Sequence, residues 1–139
     1  MIQHILLGYD GSDISARALA FAVDLAQKFG ADLHIVAVAR PPEFADEVEA
    51  EAVIENSRAH YQGILDRLRP NLARTSINHQ LHVVVGHPAE QIVRYAESHG
   101  IDHIVVGHRG NTRFDRWLIG SVARQVVAYA HCAVTIVRK

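Results

Sequence analysis

Residues 101–130, IDHIVVGHRGNTRFDRWLIGSVARQVVAYA, decide how this chain folds. The first six, IDHIVV, are short, apolar and β-branched, which suits a buried strand. That run ends at Gly107, a basic loop follows, and Gly120-Ser121 opens an apolar stretch at helical spacing over 122–130. A strand, a glycine loop and a helix in that order are one arm of a parallel βαβ unit. The glycines are spaced as Gly107, two residues, Gly110, nine residues, then Gly120-Ser121. Glycine lets backbone N–H groups come close to an anion, and the first amides of a helix are unpaired donors at its positive end. The segment therefore predicts a phosphate cradle at the edge of a parallel sheet.

The same alternation runs outward through the chain. Residues 2–7 (IQHILL) read as a strand ending at Gly8-Tyr9-Asp10-Gly11-Ser12, with Ser12 or Asp13 capping a helix that Gly30 ends. Residues 33–39 (LHIVAVA) are a second strand, stopped by Pro41-Pro42. Helix is expected from about Ala50 to Leu68, with Pro70 beyond its end and an acidic, solvated lead-in over 43–55. A third strand at 77–85, a helix at 89–98 introduced by Pro88, and a last strand at Ala133–Val137 complete the order β-α-β-α-β-α-β-α-β. These strands are continuously apolar, as a parallel sheet covered on both faces requires. The fold class is α/β, a parallel sheet with helices on both faces, in one domain over 1–139.

Composition narrows the function. Apolar residues make up 49% of the 139 and the net charge is −1, so no overall field draws in nucleic acid or an anionic membrane. Aromatic residues, at 6%, are too sparse for a surface that stacks single-stranded bases. The single Cys132 fits a reducing cytosol and reads as a buried thiol, and no apolar run is long enough for a membrane span. Ten histidines are spread over every element without a ligating spacing, so no metal site is expected.

In open parallel sheets ligands sit beyond the carboxyl ends of the strands, where the strand order reverses. Asp10 falls there, to accept from ribose hydroxyls, to hold a divalent ion beside phosphates, or to make an Asx turn or helix cap. Val38 falls there too, as a backbone partner for an adenine edge or as plain core. Ser121 and Val122 offer helix amides, and Arg109, Arg113 and Arg116 supply cations in a loop whose Trp117, Leu118 and Ile119 are apolar. The chain lacks GxxxxGK[ST], its first turn is not GxGxxG, and a phospho-acceptor receiver domain fits poorly because the last strand simply runs out at Arg138-Lys139.

ILLGYDGS at the start, VVVGHPAEQIVRYA, and IDHIVVGHRG followed nine residues later by GS together resemble the ATP-binding branch of the universal stress protein family. The resemblance runs the full length. It implies a Rossmann-like, three-layer fold, with a five-stranded parallel sheet of order 3-2-1-4-5. It also implies ATP as the ligand, with Mg²⁺ admissible beside the phosphates, and a cytoplasmic regulatory role in the stress response. Carried over, Asp10 and Val38 line the adenine and ribose side. Val106, Gly107, Gly110, Gly120, Ser121 and Val122 hold ribose and phosphates. A homodimer through Ala133–Val137 is implied as well. Gly8 and Ala133 depart from the family, which often has proline at both positions. No general base is evident, so slow ATP hydrolysis or phosphotransfer is a secondary reading. A nucleotide-free protein-interaction module is a third.

Overall fold

A computed structural model describes residues 1–43, 46–108 and 119–138. The elements follow in the order β1 (His4–Gly8), α1 (Asp13–Phe29), β2 (Asp32–Ala39), α2 (Glu47–Asp66), α3 (Arg69–Ala73), β3 (His79–Val85), α4 (Pro88–Ser98), β4 (His103–Gly107), α5 (Ser121–Tyr129) and β5 (Ala133–Val137). Among the described residues the five strands form one parallel sheet in the order β3-β2-β1-β4-β5, as expected.

Alternation along each strand divides the core in two. Ile5, Leu7, Leu33, Ile35, Ala37 and Val105 point to one face, where Ala18, Ala22 and Ala26 of α1 and Leu65 of α2 cover them. Leu6, Val36, Ile104 and Val106 point to the other, under Ile92, Tyr95 and Ala96 of α4 and Ala123 and Val126 of α5. The small alanine stripe lets α1 lie close against the sheet. Helices cover both faces of β1 and β4, whose central residues are buried, which explains the absence of polar alternation in these two strands.

The local signals act where they are placed. Ser12 caps α1, its Oγ accepting the Ser15 amide at 3.2 Å, and Gly30 ends that helix at φ 63°. Pro88 occupies the first turn of α4.

The second helix departs from expectation. It begins at Glu47, not near Ala50, because Asp46 caps it by accepting the Glu49 amide at 2.8 Å. The acidic stretch is thus largely helical, with Glu47 and Glu49 at the positive end of the dipole. Pro70 lies beyond the end of α2 at Asp66, as expected, but in the first turn of a further short helix, α3, where its missing N–H costs no bond.

Candidate functional site

The carboxyl ends of β1, β2 and β4 surround a cavity of about 220 Å³. Asp10, Val38, Val106, Gly107 and Val122 all line it, so residues from four separate elements and connections meet at one place. Gly120 and Ser121 stand immediately before Val122 at the start of α5 but do not line the cavity. Gly110, Arg109, Arg113, Arg116, Trp117 and Leu118 lie outside the described residues.

The turn after β1 presents Asp10. Tyr9 N–H continues the sheet ladder to Val36 O at 3.0 Å, and Asp10 Oδ1 then accepts the Ser12 amide at 3.0 Å. The two alternatives for Asp10 therefore coexist: it forms the Asx turn, and it also faces the cavity. Burial, and then the Asp10 carboxylate, push the Tyr9 phenol above its ordinary value, against a smaller opposing pull from Arg67. Tyr9 stays a neutral hydroxyl on the cavity wall.

Two glycines are set by close approach. A Cβ on Gly107 would come within 3.2 Å of the Ile14 carbonyl oxygen, so β4 and the start of α1 touch backbone to side. A Cβ on Gly8 would stand 2.9 Å from Ile92 Cδ1, which fills the space a side chain there would take. The departure at Gly8 thus brings α4 into the cavity wall, where Pro88 and Ile92 are both exposed to the space.

At the α5 end, among the described residues no side chain caps the helix from its N-cap position. His108, buried just past β4, accepts the Gly120 amide on Nδ1 at 3.3 Å while its own amide reaches Val137 O at 2.8 Å. One donor expected for a phosphate is therefore engaged by an imidazole. The Ser121 and Val122 amides follow it in the first turn of α5.

Sequence reading missed the outer wall. Arg40, Ser57 and Tyr61 line the cavity opposite β4. Arg40 was within reach, because it lies two residues beyond Val38 and shares its face. Ser57 and Tyr61 are a helical i, i+4 pair, but which face of α2 met the sheet end was not readable from a helix of weak amphipathicity. Cys132 is half-buried, with burial and Asp102 raising its thiol above the ordinary value, so it is a poor nucleophile.

Known proteins share this architecture. The model of the Universal stress protein family matches residues 1–138. Universal stress protein YxiE of Bacillus subtilis is 32% identical, over 99% of this chain and 100% of the relative. The structure of universal stress protein UspA from Lactobacillus plantarum superposes with a TM-score of 0.88 at 28% identity, covering 99% of this chain and 98% of that one. A universal stress protein solved in complex with cAMP superposes with a TM-score of 0.74 at 28% identity, over 97% and 96% of the two chains. A match that leaves out one terminal residue, on a sheet of this strand order, places the chain in the universal stress protein family.

Proposed function

We propose that this chain is a regulatory protein that binds an adenine nucleotide, ATP foremost, in the cavity at the carboxyl edge of the sheet. The convergence of Asp10, Val38, Val106, Gly107 and Val122 on one space carries the reading. The cAMP complex of a related protein of the same fold supports the nucleotide class. In this arrangement Val38 and its backbone meet the base and Asp10 accepts from the ribose. Gly107, Gly110 and Gly120 let the chain close on the phosphates, with Ser121 and Val122 donating from the positive end of α5. Mg²⁺ would accompany the phosphates.

The reading is of occupancy-dependent signalling; among the described residues lining the cavity, Asp10 is engaged in the turn to Ser12 and is the one carboxylate. β5 lies at one edge of the sheet and supplies the surface for a symmetric dimer. The lone half-buried cysteine suits a cytosolic home.

Mass spectrometry of small molecules released from the purified chain, with calorimetry of ATP and Mg²⁺, tests the reading. Bound adenine nucleotide or saturable binding supports it; neither at about millimolar ligand rejects it. Val38→Phe, which fills the base end, should remove binding while the melting temperature holds. Sedimentation velocity tests the dimer.

A further inference from the structure

Four of the ten histidines, remote in sequence, meet around one phenol. His34 on β2 is 5% exposed, and its Nδ1 lies 2.7 Å from the Tyr95 hydroxyl. His99 stacks on the Tyr95 ring, the centroids 3.7 Å apart and the planes 9° from parallel. His4 on β1 stands edge-on to His34 at 6.3 Å, and His82 on β3 lies 5.9 Å from Tyr95. The strand register explains the gathering. His4, His34 and His82 share the sheet face that α4 covers.

The group is poised around neutral imidazole. His34 Nδ1 and the Tyr95 hydroxyl share one hydrogen bond whose direction the imidazole tautomer sets, because the phenol can both donate and accept. His99 Nδ1 lies 3.0 Å from Tyr95 O and 3.0 Å from Ser98 Oγ, so it bridges the last turn of α4. His4 Nδ1 is buried without a hydrogen bond and sits 3.5 Å from Asp32 Oδ2. The acids nearby are Asp32 and Asp102, and Asp102 Oδ2 is already held by the Gln3 and His4 amides at 2.8 and 3.1 Å. Gln80, the remaining polar partner, bonds His82 and carries no charge. Imidazoles thus outnumber the carboxylates that could offset their charges. Burial, and after it His99, His4 and His82, hold the His34 ring below its ordinary value, with Asp32 opposing. Among the described residues no group has metal-site geometry, so metal ligation does not account for the cluster.

We propose that this cluster is a pH-operated clasp on α4. In neutral solution it fastens the last turn of the helix to the sheet; in mildly acidic solution, protonation within this crowd of imidazoles, which the two nearby carboxylates do not offset, releases it. The helix carries the effect to the cavity. Ile92 is one turn before Tyr95, packs beneath Gly8, and lines the ligand space with Pro88. The clasp does not depend on what the cavity holds.

Amide hydrogen exchange at about pH 7.5 and about pH 5.5, corrected for intrinsic rates, tests it, with ¹³C-methyl spectra of Ile92 as the cavity readout. In the intact chain, protection over residues 95–99 should fall about tenfold or more on acidification while α1 keeps its protection, and the Ile92 methyl should shift. His4→Gln with His99→Gln leaves the His34–Tyr95 bond and removes two of the imidazoles around it. It should confine the loss to less than about threefold and hold the methyl in place. His82→Gln, an exposed site, gives a milder second variant whose loss should fall between the two. Unchanged protection in the intact chain overturns the proposal. So does an equal loss in the variants, or a loss shared by α1, which would be global unfolding.

Discussion

His108 Nδ1 accepts the Gly120 amide proton at 3.3 Å, so a side chain from the end of β4 holds the first donor of the glycine-serine helix start. A phosphate at this helix end must either displace that imidazole or use only the amides beyond it. Displacement sets a neutral hydrogen bond, worth about 0.5–1.5 kcal/mol, against the ligand. His108→Leu removes the acceptor and keeps the bulk, so calorimetry should read ATP binding about two- to tenfold tighter. Weaker binding would instead make His108 a ligand contact.

Asp10 serves the turn and the cavity with one carboxylate, and the two roles separate chemically. Asparagine keeps the oxygen that accepts the Ser12 amide at 3.0 Å but loses the charge. Asp10→Asn should therefore leave the urea midpoint nearly unchanged while nucleotide affinity falls about tenfold, as expected for a charge-assisted hydrogen bond. A large fall in stability with intact affinity would confine Asp10 to the turn.

Gly8 and Ile92 divide one volume. A methyl group on Gly8 meets Ile92 Cδ1 at 2.9 Å, a contact that rotation of the isoleucine only partly relieves inside a packed core. Gly8→Ala should cost about 1 kcal/mol by equilibrium unfolding. Ile92→Val removes the clashing carbon, and in that background the same substitution should be neutral or mildly stabilising, since alanine suits strand backbone better than glycine. Additive effects in the double-mutant cycle would mean that the pair does not compete for space.

What sequence could and could not tell follows the range of each signal. The strand–helix alternation and the Ser12, Gly30 and Pro88 boundaries are readable because period and capping act within a few residues, whereas the strand order is implied by the family resemblance. The start of α2 lies earlier than the acidic lead-in suggests because Asp46 caps it through the Glu49 amide, within a run whose charge reads equally as solvated loop. Arg40 follows from its place two residues beyond Val38, whereas Ser57 and Tyr61 join the cavity through the docking angle of α2, which no local pattern encodes. The histidines looked dispersed for the same reason. His34, His82 and His99 become neighbours only through strand register and the seat of α4.

His103 offers the last test, through its bond to the edge strand. Its Nε2 lies 2.7 Å from Thr135 Oγ1, and burial holds the ring below its ordinary value, with Asp102 pulling the other way. The unfolded chain takes up a proton as pH falls through about 6.5, while the folded ring resists it. Stability from this group is therefore full above that pH and declines as pH drops from there towards the folded value. His34 adds in the same sense. Asp66, lowered by its bonds to Arg69 and Gln62 on the open surface, acts in that sense only in stronger acid. The urea midpoint should accordingly fall between about pH 7.5 and about pH 5.5 with an unchanged m-value. His103→Gln keeps a hydrogen-bonding group beside Thr135 without a titrating one, so its midpoint should fall less over the same interval. Identical slopes in the two proteins would remove His103 from the account and leave the acid sensitivity to His34 and the cluster beneath α4.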